Sequence, residues 1–92
     1  MSTKPSGQEE REVDVLVQEP AKVLLFNDEV HTFDEVIGQL IKALRCTESK
    51  AESLALEAHN NGKAIVYSGE IVRCMEISGV LEEIRLMTQI EV

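Results

Sequence analysis

The residues of this chain that could do chemistry lie in two places. The first is the polar run 27–32, with Asn27, Asp28, Glu29 and His31, which follows a short apolar segment. The second is His59, further along the chain. A polar run between a buried strand and a helix start is the kind of loop in which functional residues tend to lie, and His59 near the end of a predicted helix suits the helix dipole. The same residue types also suit a turn and a helix end, and residue types alone favour that structural interpretation.

Catalysis explains neither place well. A nucleophilic Ser or Cys needs a base beside it, and the chain has neither a GxSxG segment nor a catalytic-cysteine context. A zinc site needs three or four ligands, and neither His31 nor His59 has a second histidine four residues away. The glycines are too scattered to form a phosphate-binding loop. We therefore predict a binding module that is not an enzyme and uses no metal or other cofactor.

Composition limits the partners of this module. The 92 residues include 9 Lys and Arg against 17 Asp and Glu, which gives a formal net charge of −8. Such a charge repels phosphates, so we expect no nucleic-acid partner and no anionic membrane surface, whereas positively charged ligands are favoured. No apolar run approaches the roughly 20 residues of a membrane span, and no secretory signal is visible. We expect a cytoplasmic protein in which Cys46 and Cys74 are reduced core thiols within helices.

The chain divides near Pro20. Residues 1–20 contain both prolines and, apart from a short alternation at 13–17, show no sustained apolar period. We predict a flexible N-terminal extension over residues 1–20 and one folded core domain over residues 21–92. The residues alone do not decide whether the extension is a passive leader or a functional arm.

Apolar patterning predicts three strands and three helices in the core domain. The predicted strands are residues 23–26, 63–67 and 86–91. Thr32 and Glu35 have the spacing of a capping box at the start of the first helix. Thr47 can cap the second helix, and Gly62 follows its end. The third helix begins after Glu70, and its apolar pattern continues to Ile84. The order β-α-α-β-α-β predicts an α+β domain, with three helices packed on a three-stranded, mostly antiparallel sheet.

Both chemically active places resemble segments of one known family. The run from Val23 through Phe33 is similar to the N-D-D/E-x-x-T segment of the ClpS adaptor family, and the run from His59 through Ala64 is similar to its H-x-x-G-x-A segment. The two motifs occur in the family's order and separation, within the matching order of strands and helices. Members of that family recognise proteins by a destabilising N-terminal residue, the N-degron, and deliver them to a Clp ATPase–protease.

The resemblance implies a site with two parts. A free N-terminus presents a positive charge and three N–H donors, and its implied partners are Asn27, Asp28, Glu29 and His59. The first side chain would enter a hydrophobic pocket lined by Leu25, His31, Phe33, Val36, Ala55, Ala58 and Leu86. The implied protein partners are a ClpA-type AAA+ ATPase, docked near Glu70, and substrate proteins that begin with Leu, Phe, Tyr or Trp.

An alternative function stays open at this point. An acidic protein-interaction domain without N-terminal recognition, similar in size and acidity to the C-terminal domain of the ribosomal stalk protein, would need the same core. It would not need Asn27, Asp28 and His59 to lie together. The two hypotheses therefore differ in whether these three side chains converge in the folded protein.

Overall fold

The computed structural model describes residues 20–92, and in these a three-stranded sheet packs against three helices. The elements are β1 (Ala21–Phe26), α1 (Phe33–Leu44), α2 (Glu48–Asn61), β2 (Lys63–Gly69), α3 (Ile71–Leu81), a 3₁₀ turn (Glu82–Ile84) and β3 (Thr88–Glu91). The strand order is β2-β1-β3, and both pairings are antiparallel. The predicted element order and α+β class are confirmed. The predicted N-terminal extension lies outside the described residues except for Pro20.

β1 is the central strand of the sheet, and from Val23 to Phe26 all its side chains are apolar. Val23 and Leu25 are fully buried in the helix-covered core. Leu24 alternates with them and is also buried, although it is not part of that core cluster. Its backbone pairs on both edges, with β2 on one side and β3 on the other.

The core under the helices is built mainly from aliphatic side chains. Its fully buried members include Leu40 from α1, Ala51 from α2, and Cys74, Ile77 and Leu81 from α3. The prediction of a reduced core thiol is confirmed for Cys74. Cys46 is also free but only half-buried, and it lies in the connection between α1 and α2 rather than within a helix.

Side-chain caps fix where the first two helices begin. The Thr32 hydroxyl accepts from the Glu35 backbone N–H at 3.1 Å, and the Glu35 carboxylate accepts from the Thr32 N–H at 2.8 Å, as the capping box predicted. Thr47 accepts from the Lys50 N–H at 3.1 Å at the start of α2. Each cap supplies an acceptor to a backbone N–H group that has no partner within its helix.

The end of α3 differs from the sequence prediction. The apolar pattern continues to Ile84, but the helix ends at Leu81 and a 3₁₀ turn follows. The Gln39 side-chain amide donates to the Val80 carbonyl at 2.6 Å, and Lys42 pairs with Glu83 at 2.8 Å. These contacts tie the end of α3 to α1, and β3 begins at Thr88 instead of residue 86. No helix within residues 20–92 is long and apolar enough to cross a membrane.

Gly62 ends α2 in a conformation that favours glycine. Its φ is +90°, and its N–H donates to the Ala58 carbonyl at 2.9 Å. By contrast, Gly38 lies inside α1, and an added Cβ would meet nothing within 4 Å.

We predict that alanine has opposite effects on stability at these two glycines. Gly62→Ala should lower the free energy of unfolding by about 1–2 kcal/mol because of the left-handed backbone. Gly38→Ala should raise it by about 0.5–1 kcal/mol because alanine is the better residue inside a helix. Denaturant unfolding of the two variants and the parent chain measures both changes. A Gly62→Ala variant as stable as Gly38→Ala would contradict the backbone assignment.

Candidate functional site

A cavity of about 290 Å³ opens where the end of β1, the start of α1, the end of α2 and the approach to β3 meet. Every residue that the resemblance implied for the ammonium site and for the hydrophobic pocket lines this cavity. Phe26 lines it as well and was not in the predicted set, although its position directly before Asn27 could have indicated it. Asn27, Asp28 and His59 thus converge, which a plain interaction domain would not require.

Two consecutive backbone hydrogen bonds bring these segments together. The Phe26 N–H donates to the Met87 carbonyl at 3.0 Å, and the Asn27 N–H donates to the Gly62 carbonyl at 2.8 Å. The first bond fixes the approach to β3 beside the end of β1. The second fixes the end of α2 there, so that His59, in the last turn of that helix, lies near the polar loop.

Asn27 is oriented by its neighbour Glu29. Its side-chain nitrogen Nδ2 lies 3.4 Å from Glu29 Oε2. Because the amide nitrogen faces the carboxylate, the carbonyl oxygen Oδ1 faces away from it and receives no hydrogen bond from within residues 20–92. Asn27 therefore offers an acceptor to the cavity, and Glu29, which is exposed, places a negative charge beside that acceptor.

The carboxylate of Asp28 forms hydrogen bonds within its own loop. It accepts from the Val30 N–H at 2.5 Å and the His31 N–H at 3.3 Å, and its second oxygen binds Nδ1 of His31. The bond from the Val30 N–H is the main reason that the pKa of Asp28 lies below its usual value, and the His31 side chain acts in the same direction. Asp28 therefore shapes the loop, and its charge reaches the cavity partly balanced by His31.

His31 forms part of the cavity wall, and its side chain is only 16% exposed. The hydrogen bond with the Asp28 side chain raises the pKa of His31, while partial burial opposes that effect. The charge of Asp28, the backbone carbonyl of Ile84 and the charge of Glu35 raise the pKa further. His31 therefore keeps its proton to a higher pH than an ordinary histidine.

Two rings stand at the mouth of the cavity above an apolar floor. Phe33 and His59 meet edge to face, with ring centroids 6.4 Å apart and planes at 85°. Both residues are exposed, whereas the floor is buried and consists of Leu25, Ala55, Ala58 and Leu86. The two alanines leave space that larger side chains would fill. The site therefore combines polar acceptors at its mouth with an apolar interior.

Glu70 lies outside this cavity. It occupies the N-cap position of α3 and lines a separate, more open groove with Ile71 and Val72. No group of three or more His, Cys, Asp or Glu side chains within residues 20–92 is arranged to hold a metal ion. The predicted absence of a metal remains a prediction.

Comparisons with known proteins point to one family. The model of the family described as ATP-dependent Clp protease adaptor protein ClpS matches residues 17–87. The Clp protease adapter protein ClpS of Acetivibrio thermocellus is 35% identical over 75 residues, which are 79% of this chain and 76% of that protein. A segment of the human E3 ubiquitin-protein ligase UBR2 is 38% identical over 58 residues, which are 63% of this chain but 3% of the ligase.

A solved structure has the same fold. The structure of Agrobacterium tumefaciens ClpS2 bound to L-phenylalaninamide superposes with a TM-score of 0.74, over 79% of this chain and 95% of that one. The two sequences are 23% identical, so the likeness concerns the fold.

The role of Asp28 in its loop predicts a pH-dependent contribution to stability. Asp28→Ala should lower the free energy of unfolding at pH 7 by about 1–3 kcal/mol, because two backbone N–H groups and a histidine lose their acceptor. Folding lowers the pKa of Asp28, so its contribution is present above the unfolded-state pKa and is lost as the pH falls through the folded-state pKa. The difference between the parent and Asp28→Ala should therefore shrink toward acid, in denaturant unfolding at several pH values.

Glu29→Ala provides the matched control in the same loop. Glu29 is exposed and makes one long contact, so its loss should change stability by about 0.5 kcal/mol or less. Equal losses in both variants would contradict the structural role assigned to Asp28.

Proposed function

This chain belongs to the ClpS family of Clp protease adaptors, and we propose that it recognises the N-terminal residue of substrate proteins and delivers them to a Clp ATPase–protease for degradation. The proposal is supported by one observation: polar acceptors at the mouth and an apolar interior belong to the same cavity. An N-terminal residue has the complementary form, with a charged amine and a side chain on the same carbon atom. Such a ligand fills both parts of the site at once.

The polar mouth of the cavity meets the α-ammonium. Asn27 Oδ1 and a neutral His59 nitrogen accept its hydrogen bonds, and Glu29 contributes the charge that favours a cation. Asp28 acts mainly through the loop, since its oxygens are already bonded to Val30 and His31. This division among the four implied residues follows from the hydrogen bonds that each one already makes.

The apolar interior takes the first side chain. A cavity of about 290 Å³ lies at the small end of ligand pockets, which range over about 300–1,000 Å³, so it suits one side chain rather than an extended ligand. Phenylalaninamide, the ligand of the solved ClpS2 structure, combines a free amine with one aromatic side chain. Proteins that begin with Leu, Phe, Tyr or Trp are therefore the proposed substrates.

Delivery uses other parts of the chain. We assign the partner as a ClpA-type AAA+ ATPase in the cytoplasm, with Glu70 in the surface that docks it and residues 1–20 engaged during transfer. The groove beside Glu70 lies apart from the cavity, so one molecule can hold a substrate and a partner together. The chain itself then acts as an adaptor and carries out no catalysis. The ligase activity of UBR2 belongs to a protein of which the matched segment is a small part.

The first prediction from this function concerns the peptide amine. Acetylating the amine of a peptide that begins with Leu should weaken binding by about 30-fold or more, because the positive charge is removed and the acceptors at the mouth of the cavity lose charged donors. His59→Ala should weaken the binding of the free-amine peptide and reduce the difference in affinity between the free and acetylated peptides. Calorimetric titration with the matched peptide pair measures both effects. Equal affinity for the free and acetylated peptides would overturn the assignment of the ammonium site.

The second prediction concerns Phe33 as a selectivity element. Ile and Val carry a branch at Cβ, close to the peptide backbone, where a ring at the mouth of the cavity can exclude them. Phe33→Ala should therefore raise the affinity for peptides that begin with Ile about tenfold relative to those that begin with Leu. Val30→Ala is a control, because Val30 is exposed and does not line the cavity. An unchanged Leu-to-Ile ratio in Phe33→Ala would exclude Phe33 from this role.

A further inference from the structure

The groove beside Glu70 is an open apolar surface with a volume of about 650 Å³. Ile71 and Val72, at the start of α3, form one of its walls and are 42% and 60% exposed. Met75, one turn further along the helix, is exposed as well. The remaining lining residues are Pro20, Ala21, Gly69 and Val92. Neighbouring apolar side chains exposed on one helix form a patch of the kind that usually contacts another segment or molecule.

The N-terminal extension joins the folded domain at the wall of this groove. Pro20, the first described residue, and Ala21 both line it. Val17 precedes Pro20 by three residues, so their Cα atoms can be at most about 11 Å apart. Val13 can be at most about 25 Å from Pro20. The length of the chain therefore keeps residues 13–17 near the groove, at a high effective concentration.

Residues 13–17 also contain nearly all the aliphatic side chains of the extension. Apart from Met1, these are Val13, Val15, Leu16 and Val17. Successive side chains of an extended segment point to opposite sides. Val13, Val15 and Val17 would then share one side of such a segment, whereas Asp14 and Leu16 would share the other. An extended segment here can bury three valines while the carboxylate of Asp14 stays in water.

The groove suits an apolar occupant that is already attached to it. Among the described residues that line the groove, Glu70 has the only charged side chain, so the surface offers little to a highly charged partner. A tethered segment does not lose the translational freedom that a separate molecule loses on binding. A small apolar groove can therefore hold such a segment where it would bind a free peptide of the same sequence weakly.

We propose that residues 13–17 occupy this groove, with Val13, Val15 and Val17 against Ile71 and Val72, and that a docking Clp ATPase displaces them. The displacement rests on the proposed function, which places the docking surface at Glu70, whereas the occupancy does not. Docking and release of the extension are then one event. The extension becomes available for transfer when the adaptor is bound to its ATPase.

Two variants of the full-length chain test the occupancy. Val15→Asp places a charge on the side that faces the groove, and Leu16→Asp places the same charge on the opposite side. The amide and methyl NMR signals of Ile71 and Val72 should shift in Val15→Asp and stay near their parent positions in Leu16→Asp. The parent should also show nuclear Overhauser contacts between the methyl groups of Val15 and those of Ile71 or Val72.

Two other results would overturn the occupancy. Signals of Ile71 and Val72 that are unchanged in Val15→Asp, or that shift equally in both variants, would show that these valines do not cover the groove. Signals that move with protein concentration in the parent would show that a second copy of the chain covers it instead.

Binding of a purified ClpA-type ATPase tests the displacement. Apparent affinity scales with the fraction of molecules whose groove is free. If this fraction is about a tenth to a fifth in the parent, Val15→Asp should bind the ATPase about five- to tenfold more tightly than Leu16→Asp. Equal affinities of the two variants in calorimetric titrations would overturn the displacement. Failure of all three chains to bind would overturn the proposed partner and the displacement with it, while the NMR signals still decide the occupancy.

Discussion

The site depends on two hydrogen bonds at the end of β1. The N–H groups of Phe26 and Asn27 are consecutive, yet they donate to Met87 and Gly62, which belong to different segments of the chain. Successive N–H groups of a strand point to opposite edges, so a central strand can bind two neighbours at its end. The cavity lies where these three segments meet. Without this arrangement the apolar floor and the polar mouth would have no common position.

The acidic loop serves both the scaffold and the ligand, and its residues divide these tasks. Asp28 has a low pKa because backbone N–H groups and His31 already use its oxygens. Glu29 is exposed, and its carboxylate lies 3.4 Å from the amide nitrogen of Asn27. A charge that stabilises the loop therefore lies beside the Asn27 oxygen, which accepts no hydrogen bond from the part of the chain that the structure describes. The hydrogen bonds of Asp28 with its loop and with His31 offset its charge, which reduces its repulsion with the neighbouring Glu29 carboxylate.

Local signals in the sequence predicted much of this structure. The capping box of Thr32 and Glu35 and the stop at Gly62 involve neighbouring residues, so spacing alone revealed them. The prediction of where α3 ends was wrong because that end depends on contacts with Gln39 and Lys42, which are distant in sequence. The two family motifs predicted which residues line the cavity, but the hydrogen bonds among these residues are visible only in the folded structure.

The central claim is that one cavity binds the amine and the first side chain together. Its most direct test is an NMR titration of the isotope-labelled protein with L-phenylalaninamide and with its N-acetyl derivative. We expect the free amine to shift the amide signals of Asn27, His59 and Leu86 at one common affinity, while those of Ile71 and Val72 in the separate groove stay unchanged. Shifts centred on that groove, or equal shifts with the acetylated compound, would contradict it.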